Sequence, residues 1–205
     1  MKRKDLIASA IVGEVCALII FFVASSIIPD SFKKFINLLP IILPVLSAFG
    51  IWFVSLFETK KPVIFQAGKS FLVGILNTFI DMGILTILME KFQIFSGLYY
   101  LLFVATSFTC ATFNSYFWNK VWTFEKKNTG IDLKETSKFY LITAGGLLIH
   151  LSVSSFFVNF LGPMFGISAR LWAYVGALAA VCFGFIWNFT GYKFFVFKKT
   201  DNNQL

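Results

Sequence analysis

The chain has 205 residues, of which 58% are hydrophobic and 14% charged, with a mean hydropathy of +0.79 and a formal net charge of +8. A soluble domain carries about 25% charge, and one bilayer crossing takes about 20 mostly apolar residues. The composition therefore excludes an ordinary soluble enzyme and predicts an integral, all-α membrane protein. The positive balance is the lysine excess of loops on the cytoplasmic side rather than a nucleic-acid footprint. Cys16, Cys110 and Cys182 lie inside apolar runs, and His150 is the sole histidine, so neither a disulfide framework nor a metal site nor paired-histidine catalysis is expected.

Six apolar runs follow in order. The first, Leu6 to Ile28, comes after Lys2, Arg3 and Lys4 and ends at Pro29-Asp30. Its length and Glu14 favour a retained helix over a signal peptide. The second, Ile36 to Phe57, holds Pro40 and Pro44 near its start. The third and fourth are Ser70 to Met89 and Leu98 to Trp118. The fifth, Phe139 to Leu161, is broken by Gly162-Pro163, and the sixth runs from Leu171 to Phe189.

Basic residues orient these spans. With the N-terminus inside, the cytoplasmic segments hold Lys2, Arg3, Lys4, Lys60, Lys61, Lys69, Lys120, Lys126, Lys127, Lys134, Lys138, Lys193, Lys198 and Lys199. Only Lys33, Lys34, Lys91 and Arg170 remain outside. Both termini are therefore expected in the cytoplasm, with residues 119–138 as the main loop there.

Two stretches organise the chain. FNSYFWNKVWTFEKK (Phe113 to Lys127) and FIWNFTGYKFFVFKK (Phe185 to Lys199) superpose with a shift of 73 residues, from Lys120 to Lys193. The same shift carries Ser115 to Asn188, Asn119 to Tyr192, Trp122 to Phe195 and Phe124 to Phe197. Lysines and aromatic rings collect at the membrane–water edge because each has an apolar body and a polar tip. At about 100° per residue, Ser70, Gly74, Asn77 and Asp81 fall within roughly 60° of one helix face. Thr143, Gly146, His150 and Ser154 fall within about 80°. The same shift carries Ser70, Asn77 and Asp81 to Thr143, His150 and Ser154. The third-fourth and fifth-sixth helices thus read as two parallel copies of one hairpin, preceded by an N-terminal pair. Gly176, Ala180, Gly184 and Asn188 recur every fourth residue and read as a close-packing seam.

Asp81 is the sharpest functional candidate, because a carboxylate inside a span costs at least about 2.5 kcal/mol. The bland alternative is a neutral carboxyl bonded to Asn77. Asn77 and Asn188 read equally as interhelical glue, His150 as a bonded core histidine, and Lys120 and Lys193 as interfacial anchors. Recurrence of the lysines beside amides is what raises them above that.

FLVGILNTFID (Phe71 to Asp81), WNKVWTF (Trp118 to Phe124) and WNFTGYKFFVF (Trp187 to Phe197) resemble the GtrA-like family. The resemblance covers about residues 65–199 and implies a four-helix membrane domain over 65–200. Residues 1–64 would form an added helix pair, and 201–205 a polar tail. The first copy departs from the pattern in having Ser115, beside Asn114, where an asparagine is expected. The family is associated with moving polyprenyl-phosphate-linked sugars across the bacterial cytoplasmic membrane, for envelope polysaccharide or teichoic acid glycosylation. With no second acidic motif for a metal-dependent lipid transferase and one histidine for acid–base work, no enzymatic step is expected, and no cofactor. On the resemblance, Asn77 and Asp81, on the stripe that starts at Ser70, are candidates for the sugar hydroxyls, Trp118 and Trp122 for stacking on the sugar, Lys120 and Lys193 for the lipid phosphate, and Asn114, Asn119, His150 and Asn188 for further contacts with the substrate. Expected partners are the sugar lipid and membrane lipid, with room for a membrane-associated glycosyltransferase or a second copy, and no nucleic acid. Two other readings stay open: a subunit that docks a cytoplasmic glycosyltransferase, and a proton-coupled exporter using Asp81 or Glu14.

Overall fold

A computed structural model describes residues 2–27, 33–58, 62–123 and 133–191. Their regular structure is helical: α1 (Arg3–Ile27), α2 (Lys33–Ile36), α3 (Leu39–Ser55), α4 (Pro62–Phe92), α5 (Gly97–Trp118), α6 (Leu133–Ser155) and α7 (Ala169–Gly191). Apart from the single-turn α2, the long helices fall on the predicted apolar runs. The all-α membrane class holds. Arg3–Ala24, Ile64–Phe92 and Leu141–Leu161 are long and apolar enough to cross a bilayer, while Leu39–Ser55 and Ala169–Gly184 are shorter apolar helices. α5 carries Thr106, Ser107, Thr109, Thr112, Asn114 and Ser115 from its middle towards its C-terminal end. α4 starts at Pro62 rather than at the expected Ser70, because proline suits a first helical position, where no donor is needed.

Two features lie outside the expected pattern. α5 runs directly into a π-helical turn, Asn119–Thr123, and α6 into another, Phe156–Leu161. The chain also divides into two compact units, Met1–Gln93 with Thr106–Lys127, and Ile94–Ala105 with Asn128–Leu205. This division places α1, α3 and α4 in one unit and cuts α5 between residues 105 and 106.

In the first unit α1, α3 and α4 pack together around Val12, Cys16, Ile51, Phe65, Val73, Leu76 and Trp122. α1 begins with its own cap: the backbone N–H of Lys2 donates to Asp5 Oδ2 at 3.1 Å, the reciprocal half of a capping box. α1 crosses α3 at Gly13, where a Cβ would stand 2.5 Å from the Leu43 carbonyl oxygen and 2.7 Å from Pro44 Cα. The crossing therefore requires glycine. On its outer side α3 shows Ile41, Val45, Phe49 and Phe53, each more than half exposed (67, 63, 58 and 52%). Such a stripe is a liability in water and an ordinary lipid-facing surface in a bilayer.

In the second unit α6 and α7 pack as a pair. A Cβ on Gly176 would approach Val158 Cγ2 to 2.6 Å, and Ala180 is fully buried. The small-residue seam is thus a packing seam at these two positions. Trp172 Nε1 donates to the Phe157 carbonyl at 2.7 Å, meeting an acceptor in the π segment. Tyr100, fully buried, donates its hydroxyl to the carbonyl of Ala173 at 3.0 Å, and these positions are 73 residues apart.

Candidate functional site

The polar stripe of α4 is zipped to the end of α5 by a row of side-chain hydrogen bonds. Ser70 Oγ donates to Asn119 Oδ1 at 3.2 Å. Asn114 Nδ2 donates to Asn77 Oδ1 at 2.7 Å. Asp81, 5% exposed, accepts from the Ser107 hydroxyl. Moving down α4 from Ser70 to Asn77 to Asp81 meets Asn119, Asn114 and Ser107 moving back along α5, as in an antiparallel pair. In lipid a polar side chain without water must find such a partner, which selects this mutual rotation of the two helices. Asn77, Asn114 and Asn119, all predicted site residues, are thus brought into one row with Asp81.

The row is not sealed. Ser70, Asn77, Asn114, Ser115 and Asn119 are only half-buried, and a Cβ on Gly74 would meet nothing within 4 Å. The amides also keep capacity. An asparagine offers two donors and two acceptor lone pairs, and the Asn77–Asn114 bond uses one of each kind across the pair. Largely exposed Phe71 and Phe113 flank the row with apolar surface.

At the end of the row the π turn carries the lysine. Asn119 Nδ2 donates back to the Ser115 carbonyl at 3.0 Å and its hydroxyl at 3.3 Å. Half-buried Lys120 holds its ammonium 5.6 Å from the Tyr116 ring centroid. Trp118, half-buried, meets Trp122 edge-to-face at 5.7 Å between centroids. Trp122 itself is 5% exposed and belongs to the packed core of the first unit. Its faces are occupied by protein, whereas Trp118 keeps part of its ring exposed.

One cluster was not legible in the sequence. Trp122 Nε1 donates to Asp5 Oδ1 at 3.1 Å, and Lys69 Nζ meets the same oxygen at 2.7 Å. Asp5 and Lys69 are 1% and 3% exposed, and the Lys69 ammonium lies 4.5 Å from the Phe65 ring centroid. Asp5 follows a run of basic residues and reads as a solvated charge. No periodicity links it to Lys69.

The second unit holds the counterparts differently. His150 and Ser154 are buried, at 3% and 0% exposed. Trp187 stands at the position equivalent to Asn114; its Nε1 donates to the Ile142 carbonyl at 3.0 Å and its ring packs on Gly145. Asn188 belongs to α7, but its side chain lies outside the described residues, as does Lys193 altogether. Among the described residues no group of three or more metal-ligating side chains occurs.

Residues 69–197 match the family model described as GtrA/DPMS, transmembrane domain. The chain belongs to this family. The match opens at Lys69 and takes in the whole polar row, the π turn and α7. The chain is also 32% identical over 158 residues to the Uncharacterized membrane protein YngA of Bacillus subtilis (strain 168), covering 77% of this chain and 97% of that protein. No solved structure matches. α1 and α3 precede the family-matched region, yet α1 reaches into it through Asp5.

Proposed function

We propose that this GtrA/DPMS-family protein moves a polyprenyl-phosphate-linked sugar across the bacterial plasma membrane, serving envelope polysaccharide or teichoic acid glycosylation, with its lysine-rich end in the cytoplasm. The observation that carries this reading is the half-buried amide row of Asn77 and Asn114, at membrane depth and ending at Lys120. A lipid-linked sugar needs polar groups for its hydroxyls, a cation for its phosphate, and an open side for its tail. The spare amide capacity and the Asp81 carboxylate suit the hydroxyls. Lys120, a compact point charge, suits the phosphate, with Lys193 as its counterpart in the second copy. The open space at Gly74 and the largely exposed rings of Phe71 and Phe113 suit a ligand that stays partly in lipid. His150 and Trp122 are buried and are assigned no contact with the ligand in this reading.

The test is transbilayer movement of defined polyprenyl-phosphate sugars in proteoliposomes containing only this protein. Movement faster than in protein-free vesicles, and faster for the sugar-bearing lipid than for a neutral lipid, is the expected result. Equal rates with and without protein would refute the proposal. Equal rates together with recruitment of a cytoplasmic glycosyltransferase would favour the docking-subunit reading.

A further inference from the structure

We infer that Asp5, in the helix before the family-matched region, is a positioning residue for the π turn that carries Asn119 and Lys120. The inference rests on the proposed role of Lys120. A π turn is rare and persists only where its surroundings over-determine it. This one is tied at two points to two different helices. Asn119 is held to α4 through Ser70. Trp122 is held to α1 through Asp5. Lys120 lies between the two anchors.

The carboxylate of Asp5 is itself fixed from three directions. It accepts from the Lys2 backbone N–H, the Lys69 ammonium and the Trp122 indole at 3.1, 2.7 and 3.1 Å. A buried ion pair is weak evidence of stabilisation by itself, since apolar packing often serves as well. The indole donor gives this pair a further consequence: it sets where the turn sits against α1. Releasing that anchor lets the turn relax to α-helix, and removing the extra residue of the π turn rotates the side chains within it, Lys120 among them, by up to about 100° around the axis. The N-terminal helix is then a working part of the site.

The test uses the full-length protein in lipid nanodiscs. Trp122→Phe keeps an aromatic ring and the Asp5–Lys69 pair but removes the indole donor. Lys120→Cys, in the wild-type and Trp122→Phe backgrounds, reports turn geometry through its rate of labelling by a water-soluble maleimide. The expected result is a changed labelling rate and roughly tenfold weaker binding of a polyprenyl phosphate by Trp122→Phe itself, about the worth of one hydrogen bond, with the melting temperature little moved. Asp5→Asn serves as the second variant, with Asp5→Glu expected to recover more of the wild-type binding. Unchanged labelling in Trp122→Phe, or loss of fold in both Trp122→Phe and Asp5→Asn, overturns the inference. So does an intact mass placing the start of the purified chain beyond residue 5. Labelling does not depend on lipid movement, so a wild-type protein that flips nothing defeats the functional proposal and leaves this one measurable.

Discussion

The two sequence repeats solve one packing problem in opposite ways. In the first, Lys69, Asn77, Asp81 and Asn114 are all polar, and each is matched by a polar group on a neighbouring helix. In the second, the equivalent positions are Ile142, His150, Ser154 and Trp187. There an indole closes onto a backbone carbonyl, and Ile142 and His150 are buried. A duplicated hairpin has thus kept its helix count and lost its symmetry of charge. Under the proposed function, an asymmetric amphiphile, polar at one end and apolar at the other, would need only one polar wall. The other copy is free to serve as packing.

Three measurements can break that contrast. The largest effect is expected at Lys69. Lys69→Met leaves the buried Asp5 carboxylate without its ammonium and should lower stability by about 3–5 kcal/mol, whereas Ile142→Val, at the equivalent position, should cost about 0.5–1.5 kcal/mol. Thermal unfolding in detergent checks both, and equal losses would deny the asymmetry. Next comes Asp81. A charge-assisted bond is worth about 1.5–3 kcal/mol, so Asp81→Asn should reduce sugar-lipid transport roughly 10- to 150-fold with melting near wild type. Ser154→Ala should leave transport within a factor of about three, because the cost of one neutral hydroxyl is small. If Asp81→Asn melts early and loses transport only in proportion, the carboxylate is structural. The smallest effect is the coupling of Asn77 with Asn114. A double-mutant cycle should return about 0.6 kcal/mol and not more than about 1.7, the range of interhelical hydrogen bonds in membranes. A value near zero would mean that the amide pair does not set the register of α4 against α5.

Much of this was open to reading along the chain. The fourth run, Leu98 to Trp118, lies one residue inside α5 as observed, Gly97–Trp118. The Ser70-Asn77-Asp81 face is the face that meets α5, because helical period alone aligns it. The π turns were not readable: no residue pattern marks them, since they arise where neighbouring helices hold a turn with one residue too many. Trp122 misled for a related reason. An aromatic residue near a membrane edge reads as an interfacial ring, but its indole is drawn inward to Asp5.

The sequence by itself determined the membrane class, the long helices and their duplication, because hydropathy and a repeat offset are carried along one dimension of the chain. Only the tertiary structure decided which polar groups meet. Asn77 with Asn114, Asp81 with Ser107, and Asp5 with both Lys69 and Trp122 depend on the depth and rotation of neighbouring helices. In a low-dielectric interior each polar group must find its partner across space, and the chain's local periodicity does not name that partner.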